Sequence, residues 1–159
     1  MFYKKILLLS MLFLLSACMP KTYTKEHSAF ILLKSPYLKY ADMGFIYENS
    51  KEMKVEIYSN GQAVMNLELL EEKICLSTFK CMDKQSFNKM LLSASYPKDL
   101  LHHVFGAKAI FGGKNKKSIP RGFEQDIFAK GLYDISYKVR QGFVSFEDSF
   151  NDIKIKIKR

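Results

Sequence analysis

Met53-Lys54-Val55-Glu56-Ile57-Tyr58-Ser59-Asn60-Gly61-Gln62-Ala63-Val64-Met65-Asn66-Leu67-Glu68-Leu69 is the stretch on which the fold turns. Met53, Val55 and Ile57 alternate with Lys54, Glu56 and Tyr58, the two-residue period of a strand with one buried face. Ser59-Asn60-Gly61-Gln62 is a hairpin signal, because Asn-Gly readily supplies two positive φ angles. Ala63, Met65, Leu67 and Leu69 then alternate with Val64, Asn66 and Glu68. Glu71-Glu72-Lys73 turns the chain again, and Ile74, Leu76 and Thr78 continue the alternation. The reading is an antiparallel meander with one polar face. Upstream, Met43-Gly44-Phe45-Ile46-Tyr47 is a further aromatic and apolar strand, followed by a turn over Glu48 to Glu52. Lys25 to Leu33 stays open: the run His27-Ser28-Ala29-Phe30-Ile31-Leu32-Leu33 is too short to show a decisive period, so helix and strand fit equally. Pro36 ends it.

Downstream, the period changes at Asp83. Asp83 is placed to cap a helix whose Phe87, Met90, Leu91 and Ala94 fall at spacings of three and four. Pro97 suits the first turn of a second helix and Asp99 its positive end. Leu100, Leu101, Val104 and Phe105 form its apolar stripe, and Gly106 is a natural stop. Gly112 to Gly122 is polar, basic and glycine-containing, and reads as an exposed loop. Strands return at Tyr133 to Val139, Phe143 to Phe146 and Ile153 to Lys158. Strands, two helices, then strands predict an α+β domain with the helices gathered on one face of an antiparallel sheet.

Composition agrees with one folded domain. The 159 residues are 48% hydrophobic with only 8 Gly and 4 Pro, which excludes a disordered, collagen-like or low-complexity chain. Three Cys are too few for a disulfide-scaffolded miniprotein. The charge is +9, and no apolar run beyond the first residues is long enough to span a bilayer. Those first residues are the most informative. Lys4 and Lys5 form a positive start, Ile6 to Leu15 is apolar apart from Ser10, and Leu15-Ser16-Ala17-Cys18 follows. This order describes an export signal. The competing reading is an ordinary secretory signal with a chance cysteine.

A cysteine directly after Leu-Ser-Ala resembles the bacterial lipobox. That resemblance implies cleavage of residues 1–17, lipidation of Cys18, and a tether over residues 18–24 leading into one domain over residues 25–159. Acyl chains on Cys18, at about 0.8 kcal/mol per buried methylene, hold a chain to a bilayer without a spanning segment. Met19 is not the Asp that signals inner-membrane retention in Gram-negative lipoproteins, so the expected address is the outer membrane, facing the periplasm. An exported address also argues against nucleic acid as the partner of the basic chain.

The element order and several local motifs resemble the LolA/LolB half-barrel family, and within it the outer-membrane receptor LolB. The closest stretch is Lys73 to Phe111. There Tyr96-Pro97-Lys98-Asp99-Leu100-Leu101 and His102-His103-Val104-Phe105-Gly106-Ala107-Lys108 are similar to the family's Gly-x-x-Leu-Pro and Leu-x-x-Trp-Leu-x-Gly stretches. Leu132 to Val139 and Ile153 to Arg159 are similar to later family strands. The chain departs from the family in having no Trp, and in lacking a Leu at the Tyr58-Ser59-Asn60-Gly61 tip. The resemblance implies an open antiparallel half-barrel closed by helices, with an apolar cavity for acyl chains. It also implies a monomer that takes part in lipoprotein trafficking to the outer membrane and meets a periplasmic lipoprotein carrier. Candidate cavity or lid residues are Val55, Ile57, Met65, Leu67, Leu91, Leu100, Leu101 and Phe105. The rival is a structural or interaction lipoprotein with a solid core.

Other chemistry is thin. Cys75 and Cys81 suit a local disulfide in an oxidising periplasm, with two free thiols as the other possibility. Adjacent His102 and His103 point about 100° apart on a helix, which disfavours a metal site. No Gly-x-Ser-x-Gly motif occurs, so no catalysis and no cofactor is expected. Gly112-Gly113-Lys114-Asn115 fails the P-loop spacing. Lys114, Lys116, Lys117 and Arg121 remain as a basic segment, either docking on anionic headgroups or an acidic partner, or simply solvated.

Overall fold

The computed structural model describes residues 23–77 and 80–159. The expected signal, Cys18, most of the tether and Thr78 of the expected Ile74, Leu76, Thr78 alternation therefore lie outside the described residues. Eleven strands run β1 (Lys25–Lys34), β2 (Lys39–Glu48), β3 (Met53–Ser59), β4 (Gln62–Leu69), β5 (Lys73–Leu76), β6 (Lys80–Asp83), β7 (Lys116–Ile119), β8 (Gly122–Ala129), β9 (Tyr133–Arg140), β10 (Phe143–Asp148) and β11 (Ile153–Lys158). Between β6 and β7 lie α1 (Lys84–Leu91), α2 (Leu100–Phe105) and a 3-10 turn at Phe111–Gly113.

All eleven strands form one antiparallel sheet in the order β6-β5-β4-β3-β2-β1-β11-β10-β9-β8-β7. Two meanders are joined where β1 meets β11, with Ile31 opposite Ile157 and Leu33 opposite Ile155. The chain leaves one edge at β6 and re-enters at the opposite edge at β7, so residues 84–115 are the connection between the two edges. Strand takes 56% of the described residues and helix 13%. This corrects the α+β expectation. The protein is mostly β, and two helices of eight and six residues do not make a helical layer.

The physical reason lies in strands that carry little periodic signal. The ambiguous run at Lys25 is a ten-residue strand, because β2 and β11 pair with it on both sides. The expected loop over Gly112 to Gly122 holds the 3-10 turn and then β7, paired with β8 from Lys116 opposite Gln125 to Ile119 opposite Gly122. Polar β7 is an edge strand without a buried face, so nothing in its hydropathy marks it. The helices are also shorter than their patterns. Ala94 falls beyond α1, and Pro97 precedes α2.

Where alternation was clear, parity decides the faces. Met53, Val55, Ile57, Met65, Leu67, Leu69, Ile153, Ile155 and Ile157 are all buried in a single core. Asn60 and Gly61 both take positive φ, 50° and 78°, as the hairpin requires. Eleven strands laid flat would span about 50 Å. One face of such a sheet serves one core only if the sheet curls. Glycine permits the close strand approaches this needs. A Cβ on Gly44 would sit 2.0 Å from the Glu56 carbonyl oxygen, and one on Gly122 would sit 1.9 Å from that of Val139.

Candidate functional site

The inner face of the curled sheet is the first candidate. Val55, Ile57, Leu67, Leu100 and Phe105 are fully buried, Met65 and Leu101 nearly so, and all seven share the core with Phe87 and Val104. Leu91 packs against its edge. The structure thus brings seven of the eight sequence-predicted cavity residues into one interior, with Leu91 at its edge. Beside this core a cleft of about 30 Å³ opens at Ala107, Arg140, Phe143, Val144 and Arg159. That volume suits one water, far from the roughly 300–1,000 Å³ of small-molecule sites. A larger groove, about 400 Å³, is lined by Thr24, Asn49, Ser50, Lys51 and Glu52, where the described chain begins. Its lining residues are all polar or charged types on an open surface.

The segment from α1 to the 3-10 turn closes this interior, and its own folding is local. Asp83 caps α1 by accepting from the Ser86 amide at 2.9 Å, and the Ser86 side chain, with that amide second, holds its carboxyl below the usual range. Asp99 does not cap α2 with its side chain. It accepts from Lys84 Nζ at 2.6 Å, and that bond lowers its pKa. Asn88 donates to the Pro97 carbonyl at 3.0 Å. These contacts tie the two helices to each other.

Apart from the Asp83 cap on β6, the polar ties from this segment to the sheet among the described residues run to one side. Tyr96 Oη donates to Asp148 at 2.5 Å. Gln125 accepts from the Ile110 amide at 2.9 Å and donates to the Ile110 and Lys114 carbonyls at 3.0 and 2.7 Å. Tyr137 Oη donates to the Lys108 carbonyl at 2.9 Å, Arg159 to the Phe105 carbonyl at 3.3 Å, and Ser95 to the Leu132 carbonyl at 3.4 Å. These partners lie on β8, β9 and β10, in the β8–β9 turn, and at Arg159 just after β11. Toward β3, β4 and β5 the segment meets apolar side chains of the shared core. Burial pushes the Tyr96 and Tyr137 hydroxyls up, so both stay protonated donors.

Sequence reading missed Tyr96, Asp148 and Gln125. A signal existed: Asp148 holds the inward parity of Val144 and Phe146, and Gln125 that of Ile127. A polar residue at an inward position must find partners. Asp148 finds the Tyr96 hydroxyl, the amides of Asp134, Phe150 and Asn151, and the Asn151 side chain.

The outer face carries its own cluster. Lys54 Nζ lies 4.3 Å from the Tyr47 ring centroid and 3.0 Å from Glu56, and Tyr58 donates to Glu56 at 3.1 Å. Burial and the Glu56 charge push the Tyr47 hydroxyl up to about 12. Cys75 and Cys81 are directly opposite on β5 and β6 and are joined by a disulfide. Of the basic segment, Lys114 ends the 3-10 turn, Lys116 lies over the Phe123 ring at 4.6 Å, Lys117 is opposite Glu124, and Arg121 is in the β7–β8 turn. Lysines on a short edge strand also discourage pairing with other chains. His102 and His103 are half-buried with pKa values lowered by burial. Among the described residues no group of three His, Cys, Asp or Glu is placed to hold a metal, and no helix is long and apolar enough to cross a membrane.

Fold and interior define a mostly-β protein, one curled antiparallel sheet around an apolar core stoppered by a short helical segment. Comparison with known proteins finds no matching family model, no similar curated protein and no similar solved structure.

Proposed function

We propose that this chain is a lipid-anchored outer-membrane lipoprotein that binds acyl chains between its sheet and residues 84–115. In this reading it takes part in lipoprotein trafficking and performs no catalysis. The observation that carries it is the one-sided attachment of that segment. Hydrogen bonds hold it to β8, β9, β10 and Arg159, while toward β3, β4 and β5 it meets apolar side chains of the core. An acyl chain entering on the β3–β5 side replaces apolar contacts with apolar contacts. Because the segment is joined to β6 at Asp83 and to β7 at Lys116, opening is a separation of its middle from β3 to β5 with both ends held. The lipobox-like leader supplies the membrane address, and the resemblance to the LolA/LolB family supplies the cargo.

The test is titration with a diacylated lipopeptide, followed by hydrogen exchange. Saturable binding with faster exchange in α1 and α2, and unchanged exchange in β8 to β10, is the expected result. Transfer of a labelled lipoprotein from a periplasmic carrier would place the binding in trafficking. The rival is a structural or interaction lipoprotein with a solid core. No saturable binding and no acceptance from a carrier would establish that rival.

A further inference from the structure

The outer face of the sheet is not uniform. Pair registers place Met43, Phe30, Lys158, Phe143 and Arg140 in one row across β2, β1, β11, β10 and β9. The next row is Ala41, Leu32, Lys156, Ser145 and Lys138. Neither row contains an acid. Phe30 is 40% exposed and Met43 54%, and they are direct cross-strand partners. Single exposed apolar residues are ordinary on any surface. Here two large ones adjoin, flanked by cations. Lys138, Lys154 and Lys34 are neutralised by Glu124, Glu147 and Asp152. Among the described residues Lys156, Lys158 and Arg140 have no acidic partner within ion-pair distance, so this face carries uncompensated positive charge over apolar side chains.

We propose that this outer face, centred on Phe30, Met43, Lys156, Lys158 and Arg140, is the surface that lies against an anionic lipid bilayer. The proposal rests on the lipid-anchor reading and adds an orientation to it. Charge complementarity is one argument: each Lys or Arg near an anionic membrane is attracted to it, and apolar side chains beside them enter the headgroup boundary. Chain length is the other. Cys18 lies five residues before Tyr23, a reach of at most about 18 Å. Phe30 lies about 17 Å along β1 from Lys25. With β1 parallel to the bilayer, anchor and patch touch it together. The inner face, with the helical segment and its β3–β5 side, then turns away from the membrane toward the periplasm.

The chain has no Trp, so a single introduced Trp reports its own position. The lipidated protein carrying Met43→Trp is reconstituted on phosphatidylcholine vesicles, with and without phosphatidylglycerol. A second protein carries Phe128→Trp, on β8 opposite Asp134. Expected is a blue shift and quenching by brominated lipid at Met43→Trp only with phosphatidylglycerol present. Both effects are lost at high salt and on adding Arg140→Gln, Lys156→Gln and Lys158→Gln, while Phe128→Trp stays unquenched. A Met43→Trp signal unaffected by phosphatidylglycerol, or quenching of Phe128→Trp instead, overturns the proposal. The anchor is scored separately by co-sedimentation with neutral vesicles and by acyl labelling of Cys18. Loss of those with an intact anionic response at Met43→Trp would overturn the anchor reading and leave the docking face standing.

Discussion

Replacing Tyr96 by Phe removes one atom from the bond that pins the helical segment to the sheet. The hydroxyl donates to a carboxylate that is 1% exposed, at 2.5 Å. A hydrogen bond to a charged group contributes about 1.5–3 kcal/mol net. Phe fills the same volume, so no cavity forms, and the edge-on contact with the Phe146 ring at 5.9 Å survives. Asp148 keeps the Asn151 side chain at 2.7 Å on the same oxygen, Oδ2, so the carboxylate is not stranded. The expected cost is therefore about 2 kcal/mol, toward the middle of that range. Asp148→Ala is expected to cost more, since it leaves the Tyr96 hydroxyl and three backbone amides short of an acceptor. Both are measured by urea unfolding, as a lowered midpoint at unchanged slope. In the double variant the two costs are expected to fall short of additive, because the residues share one bond. A Tyr96→Phe loss below about 0.5 kcal/mol, or additivity within about 0.3 kcal/mol, would refute the claim that this bond pins the segment.

Gly44→Ala drives a Cβ into the Glu56 carbonyl of the neighbouring strand and is expected to cost about 3 kcal/mol or more, read as a fall in thermal midpoint. Ser at both Cys75 and Cys81 opens a cross-link of sequence separation 6; loop entropy puts the loss near 2 kcal/mol, and equal unfolding midpoints with and without reductant would contradict it. Tyr96 and Tyr137 have folded pKa values raised above the usual 10. Their neutral forms are favoured by folding, so that stability is complete below about pH 10 and declines as pH rises further. Phenolate absorbance in an alkaline titration is expected to show these two hydroxyls ionising only together with unfolding.

The β3–β4 hairpin was legible except near its tip, where a register shift at Ile57/Tyr58 leaves Ala63 exposed; a period of two cannot be mistaken where Val55 and Leu67 stand between charged or polar neighbours. The same holds for β11, where isoleucines and lysines take opposite faces. The cavity candidates were legible as apolar positions, and seven of the eight share one interior. Whether that interior is hollow was not, since hydropathy reports burial and carries no volume. The class was misread because α1 and α2 have clear helical spacing while β6, β7 and β8 are marked by pairing more than by pattern. Short or edge strands owe their existence to a neighbour's backbone, which leaves no trace in their own side chains.

What the chain determined by itself was therefore local: alternation, the Asn60-Gly61 turn, the Asp83 cap and the order Lys4-Lys5, apolar run, Cys18. Only the tertiary structure decided that β1 joins β11 across more than a hundred residues, bringing Phe30 beside Lys158. It alone decided that Tyr96 meets Asp148, and that Lys156 and Lys158 stand on the face of Met43 rather than beside acids. Those pairings depend on where distant strands lie when the sheet curls, and residues far apart in sequence carry no mutual spacing from which that could be read.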